Sequence, residues 1–151
     1  NGRQLISCAI ENALASPYID QIVVSSDSEE ILAFATQYDS VLVLDRDSKY
    51  QGAVTLDPVI FDATVRAETL LGITFDVAVT LQATSPLLTV ETLNNALSGF
   101  LVNESDSMIS VVNIPHLRWK RNDEGKIVQD CAERLNRQQL PPSYLETGAF
   151  L

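Results

Sequence analysis

A doubly wound α/β fold around a mostly parallel sheet is what this 151-residue sequence predicts. Two observations carry that expectation. Short β-branched runs alternate with amphipathic helical segments at the interval expected of parallel strand–helix units. Hydrophobic residues make up 46% of the chain and are evenly spread, which suits one ordinary domain with a real core.

The elements follow in order. Residues 4–15 place Ile6, Ile10 and Leu14 on one helical stripe, with Leu5, Ala9 and Ala13 beside it. Ser16-Pro17 ends that helix, because the residue before proline avoids the helical region. Gln21–Ser25 is a β-branched run that predicts a buried strand. Ser26-Asp27-Ser28-Glu29-Glu30 reads as a helix start, with a polar cap and acids in the first turn, and the helix is expected to run to about Tyr38. Val41–Leu44 is the next strand, Asp45–Leu56 a polar loop, and Pro58–Leu71 a helix with proline in its first turn. Val77–Leu81 is predicted as a strand, Gln82–Leu88 as a loop, Thr89–Leu101 as a helix and Met108–Val112 as a further strand. After Pro115 the alternation stops. Arg118–Arg121 and Lys126–Val128 flank Asn122-Asp123-Glu124-Gly125, the pattern of a β-hairpin around a glycine-containing turn. A polar stretch, Pro141-Pro142 and a short apolar strand from Ala149 complete the chain.

Charge and cysteine usage narrow the function. Twenty Asp and Glu against 10 Lys and Arg give a net charge of −10, which opposes a general grip on DNA or RNA. No segment approaches the run of about 20 apolar residues that crosses a bilayer. Nor does the start read as a signal peptide, so a cytoplasmic protein is the simplest expectation. Cys8 and Cys131 stand apart, with no CxxC spacing and no neighbouring histidine, and read as buried or incidental thiols. Walker A, His-Glu-x-x-His, Gly-x-Ser-x-Gly and Gly-x-Gly-x-x-Gly motifs are all absent from the sequence.

In an open parallel sheet, ligands bind outside the carboxyl ends of the strands. Three loops leave such ends: 25–28, 45–56 and 82–88. Gln82-Ala83-Thr84-Ser85-Pro86 offers an amide and two hydroxyls after a strand, uncharged groups suited to sugar hydroxyls or a base edge. Equally, Thr84 or Ser85 could serve only to cap a turn before the next helix. Arg46, between Asp45 and Asp47, could fork onto a phosphate or rest in a surface ion pair. Asp27 suits a metal or, more simply, a helix N-cap. Arg134, Arg137, Gln138 and Gln139 gather donors in the polar stretch, with Tyr144 after the two prolines. His116, the one histidine, has no nucleophile partner that spacing can nominate.

Four segments, in order, resemble the N-acylneuraminate (CMP-sialic acid synthetase) cytidylyltransferase family. They are Asn1–Ile6 continuing into Tyr18–Ile31; Leu81-Gln82-Ala83-Thr84-Ser85-Pro86-Leu87; Asp106–Val112 before Pro115-His116; and Asn136-Arg137-Gln138-Gln139-Leu140-Pro141 before Gly148-Ala149. The resemblance implies a Rossmann-like nucleotidyltransferase fold and transfer of CMP from CTP to an acidic nine-carbon sugar, with release of pyrophosphate and help from Mg²⁺. By resemblance, Arg46 and Thr55 bind the nucleotide, while Gln82, Thr84 and Ser85 face the sugar. Arg137, Gln138 and Tyr144 lie on the sugar side, in a 115–147 excursion that also forms a homodimer contact.

The departures shape the expectation. The family's Gly-Ser-Lys-Gly phosphate loop and Asp-x-Asp metal site are not among these 151 residues. Residues 1–151 are thus expected to be a single domain cut at both ends, inactive by itself, with the metal ligands beyond Leu151. Ala83 stands where the family usually has proline, and Leu88 where it usually has arginine. Tyr144–Gly148 stands where many members read Tyr-Arg-x-Asn-Gly, so an arginine is lost and Glu146 gained, and a different nonulosonate becomes a candidate sugar. The alternatives are a nucleotidyltransferase of the same fold using another sugar or nucleotide, and a degenerate binding or assembly module.

Overall fold

The computed structural model describes residues 2–52, 54–103, 105–130 and 133–151. It is a mixed α/β structure whose central feature is a parallel pair of strands, β1 (Ile22–Ser26) and β2 (Val41–Asp45), in register from Ile22 opposite Val41 to Ser26 opposite Asp45. Helix α1 (Leu5–Leu14) packs on this pair through Ile10, which is buried together with Val24 and Ala35; Ile6, Ile31, Tyr38, Val41 and Val43 close around them. The buried residues of α1 are Ser7, Ile10 and Ala13, three residues apart; of the apolar stripe read from the sequence, Ile6 and Ile10 meet the core, whereas Leu14 and the neighbouring Leu5 are exposed.

Helix α2 (Glu29–Ala35) starts at Ser28, whose hydroxyl accepts from the Ile31 amide at 3.4 Å; Glu29 and Glu30 add negative charge where the helix dipole favours it. It ends before Tyr38. The amides of Gln37 and Tyr38 reach back three residues, to Phe34 and Ala35, and the Thr36 hydroxyl donates to the Ala33 carbonyl at 2.8 Å. Those contacts tighten the last turn into the connection to β2. Helix α3 (Leu56–Leu71) opens two residues before Pro58, which still lies in its first turn, and closes at Gly72, whose φ of +68° is the left-handed cap that favours glycine. Helix α4 (Val90–Val102) is capped by Thr89, which accepts from the Thr92 amide at 3.2 Å, and it buries Leu93 and Leu97.

The expected continuous sheet changes beyond α3. Residues 77–81 do not extend the β1–β2 ladder. Thr80 exchanges hydrogen bonds with Leu151 at 2.9 and 3.1 Å, Leu81 pairs antiparallel with Phe150, and the Gln82 amide donates to Ala149 at 3.4 Å. The polar groups of this run are thus taken by the end of the chain. The strand expected over Met108–Val112 is β3 (Val111–Asn113), shifted toward Asn113 and antiparallel to β6 (Tyr144–Glu146). Between them, β4 (Trp119–Arg121) and β5 (Ile127–Gln129) form the hairpin read from the sequence. Its turn carries Gly125 at φ +79°, and the Asn122 carboxamide accepts from the Lys126 amide at 2.8 Å. Lys120 and Asp130 add an exposed salt bridge at 2.7 Å. Cys8 is a free, half-buried thiol, whereas Cys131 lies outside the described residues. No helix among the described residues is long and apolar enough to cross a membrane.

Two long-range side-chain bonds fix the loop after Leu81. The Asn12 carboxamide of α1 donates to the Leu88 carbonyl at 2.6 Å, and the buried Ser16 hydroxyl donates to Asn94 Oδ1 of α4 at 2.7 Å. Replacing Asn12 with alanine removes the first tether, at a cost of about 1 kcal/mol. It is expected to speed hydrogen exchange across residues 82–88, measured by mass spectrometry, with no change at β1. Leu93 is fully buried, with 0% exposure. Leu93→Ala is expected to lower unfolding stability by about 2–5 kcal/mol in a denaturant titration, the range for a buried leucine that leaves a cavity.

Candidate functional site

The parallel register brings the carboxyl ends of β1 and β2 side by side, and Arg46 follows directly from β2. Its amide donates to the Ser26 carbonyl at 2.8 Å and its Nη2 to the Ser25 carbonyl at 2.8 Å, so the side chain is pinned across the end of β1. Nε of Arg46 is buried and has no partner among the described residues. A buried guanidinium donor without a partner is costly. The surface ion pair considered from the sequence does not form. Asp47 turns to Lys49 at 3.5 Å and caps the short turn Ser48–Tyr50 by accepting from the Lys49 amide at 3.1 Å. That amide bond, ahead of the Lys49 charge, holds the Asp47 carboxyl below its usual range. Lys49 in turn lies 4.7 Å from the centre of the Tyr50 ring, and Tyr50 then Asp47 raise its ammonium above the ordinary lysine value.

An open cleft of about 500 Å³ lies here, lined by Asp45, Arg46, Asp47, Ser48, Gln51 and Arg66. Arg66 is the residue that sequence reasoning missed. From α3 it donates to the Asp45 carbonyl at 2.8 Å and pairs with Asp62 at 3.4 Å, which brings a second guanidinium to the cleft. Its one sequence signal is the Asp62–Arg66 spacing of four residues on a helix. Thr55 is the N-cap of α3; its side chain makes no cap bond, so the hydroxyl does not serve the helix start.

A second cluster surrounds Gln82. The loop 82–88 is built from backbone turns, the Ser85 amide donating to the Gln82 carbonyl at 3.0 Å and the Leu88 amide to the Ser85 carbonyl at 3.1 Å. Thr84 and Ser85 do not cap the following helix, since Thr89 does. The Gln82 carboxamide lies against Gly148, where a Cβ would stand 3.0 Å from Oε1. Gly148 belongs to the segment that continues from β6, the strand that carries Tyr144 at 65% exposure. Arg137 and Gln138 lie in the exposed short helix Arg137–Gln139, separate from the Gln82 contact. Among the described residues, no hydrogen bond or ion pair joins the Arg46 cluster to the Gln82 cluster.

Two readings from the sequence are corrected by this geometry. Asp27 is not the N-cap of α2, because Ser28 supplies the accepting oxygen. Nor does Asp27 join a metal cluster: no three His, Cys, Asp or Glu side chains gather to hold an ion among the described residues. His116 lines a smaller hollow of about 210 Å³ beside Arg118 and Ser143, and the Ser143 hydroxyl there accepts from Arg118 at 2.6 Å.

The chain is 27% identical over 154 residues to a protein of Campylobacter jejuni subsp. jejuni serotype O:2 named pseudaminic acid cytidylyltransferase, covering 99% of this chain and 66% of that protein. It is 28% identical over 155 residues to the post-translational flagellin modification protein B of Campylobacter coli, covering 100% of this chain and again 66% of the relative. A 3-deoxy-manno-octulosonate cytidylyltransferase of Francisella tularensis subsp. holarctica is 27% identical over 112 residues, covering 74% of this chain and 41% of that protein. The chain therefore spans slightly less than two thirds of the length of the two Campylobacter proteins. Residues 1–141 match the family described as Cytidylyltransferase, and the chain belongs to that family.

Proposed function

We propose that this chain is part of an enzyme that transfers CMP from CTP to a nonulosonic acid, with pseudaminic acid the first candidate because the Campylobacter jejuni relative carries that name. In the reaction, the sugar's anomeric hydroxyl attacks the α-phosphorus of CTP. A carbon–oxygen–phosphorus link forms, the hydroxyl proton is lost and pyrophosphate leaves. The observation that carries the nucleotide side is Arg46, fixed at the end of β2 with a buried Nε that lacks a partner. Arg46 and the Thr55 hydroxyl hold the cytidine; Arg46 lines the cleft together with Arg66, whereas Thr55 stands at the start of α3, outside that lining. Such transfers depend on positioning and on neutralising phosphate charge.

Gln82 faces the sugar, with Thr84 and Ser85 on the same loop. An uncharged amide suits a sugar hydroxyl or acetamido group and discriminates by leaving a buried donor unpaired when the wrong sugar binds. Arg137, Gln138 and Tyr144 complete the sugar side, in an excursion that mediates a homodimer. The parallel β1–β2 pair is the nucleus of a doubly wound sheet in the whole protein, which acts in the cytoplasm. Mg²⁺ supplies charge neutralisation at the phosphates when bound. No residue of this chain is assigned to it.

The test is pyrophosphate release by the full-length gene product with CTP, Mg²⁺ and a panel of pseudaminic acid, N-acetylneuraminate and 3-deoxy-manno-octulosonate. Release with pseudaminic acid is expected. Release with N-acetylneuraminate alone would change the sugar, and release with none, from folded protein, would remove the reading. In the same assay, Arg46→Ala is expected to raise the CTP KM by roughly ten- to a hundredfold, the scale of a lost charged hydrogen bond. Gln82→Ala is expected to raise the sugar KM by roughly three- to tenfold and leave the CTP KM unchanged. Equal effects of both variants on both substrates would overturn the division of the site.

A further inference from the structure

We propose that Gly148 and Ser110 are positioning residues that set the orientation of the Gln82 carboxamide, and through it the selectivity of the sugar side. The proposal rests on the reading of Gln82 as a sugar-binding group. A Cβ at position 148 would stand 3.0 Å from Oε1 of Gln82 and 3.3 Å from both Cδ and Nε2. All the heavy atoms of the terminal amide thus lie against the bare Cα face of one glycine. Gly2, Gly52, Gly72 and Gly125 also have positive φ, but a Cβ there would meet nothing within 4 Å. At those positions backbone freedom accounts for the glycine. At Gly148, with φ of +66°, the close approach of Gln82 is a second and independent demand.

Two sets of bonds hold Gly148 at that distance. One is the antiparallel ladder, in which the Gln82 amide donates to Ala149 and Leu81 pairs with Phe150, so Gln82 and Gly148 are placed by the same register. The other is centred on Ser110. Its hydroxyl accepts from the amides of Ala149 at 3.1 Å and Phe150 at 3.2 Å and donates to the Phe150 carbonyl at 3.1 Å. The Thr147 hydroxyl closes the network onto Ser110 Oγ at 2.8 Å, while the Thr147 amide donates to the Ser110 carbonyl at 2.9 Å. One serine side chain therefore clamps the residues on both sides of Gly148. Gln82 has three side-chain torsions, and a wall on one side of its amide removes orientations it would otherwise sample.

The test uses the full-length protein, with ¹⁵N labelling for one arm and steady-state kinetics for the other. Gly148→Ala and Ser110→Ala are each expected to shift the side-chain NH₂ signals of Gln82 in the absence of substrate. They are expected to raise the sugar KM by about three- to tenfold, the scale of one misplaced hydrogen bond, without raising the CTP KM. Ser110→Thr retains the hydroxyl and is expected to restore both readouts. Coupling separates positioning from simple loss of stability. In a Gln82→Ala background, Gly148→Ala should add nothing to the sugar KM, because the group it displaces is gone. Unmoved Gln82 NH₂ signals in both variants, or full additivity with Gln82→Ala, would overturn the proposal. If Gln82→Ala itself leaves the sugar KM unchanged, the assignment of Gln82 to the sugar falls, and the NH₂ signals still decide whether Gly148 and Ser110 position it.

Discussion

The parallel register of β1 against β2 is the constraint on which the Arg46 end of the molecule, the proposed nucleotide side, depends. Ser26 opposite Asp45 brings the carbonyls of Ser25 and Ser26 beside Arg46, and those two acceptors fix its backbone and one arm of its fork. A slip by one residue would exchange the buried and exposed faces of the strand. Val24 would leave the cluster with Ile10 and Ala35, and the guanidinium would lose its anchor. Core packing and placement of the candidate nucleotide residue are therefore one problem with one solution. Arg66 reinforces it from α3 by holding the Asp45 carbonyl, so the strand end is tied to a helix as well as to its neighbour.

The Gln82 end, the proposed sugar side, depends on a different kind of constraint. Its support is antiparallel, and its components come from distant parts of the chain: the loop after Leu81, Ser110 before β3, and the segment after β6. Closing such long loops costs conformational entropy, which local contacts do not recover. The Ser110 network and the Asn12 tether to Leu88 offset part of that cost with hydrogen bonds at the points where the segments meet. The two ends thus have separate supports, which suits the proposed roles of one cluster for a nucleotide and the other for a sugar.

How much was legible in the sequence follows from this difference. Helices α1 to α4 and strands β1 and β2 are coded locally, by apolar spacing, β-branched runs and polar caps, and they appear within a few residues of their expected bounds. The hairpin at Asn122–Gly125 is equally local. What could not be read was pairing. Val77–Leu81 has the composition of a strand, yet its partner is Phe150 and Leu151, which no periodicity connects to it. Arg46 stood out as a cation after a strand, but its choice of the Ser25 carbonyl over its flanking acids depends on the β1 end lying beside it. Arg66 and Ser110 carried almost no signal, because each acts through carbonyls or amides far along the chain. Glycine at 148 was visible within a family-like motif, while the reason for it, the Gln82 amide above it, required the fold.

The central claim is that the Arg46 cluster at the end of β2 serves the nucleotide and the separate Gln82 cluster the sugar. Hydrogen exchange of the full-length protein, compared with no ligand, with CTP, and with CTP plus the non-reactive 2-deoxy analogue of the sugar, tests it most directly. The account predicts that CTP alone protects residues 45–51 and the start of α3, and that residues 82–88 and 147–150 gain protection only when the sugar analogue is added. Protection of 82–88 and 147–150 by CTP alone, with residues 45–51 unchanged, would contradict it.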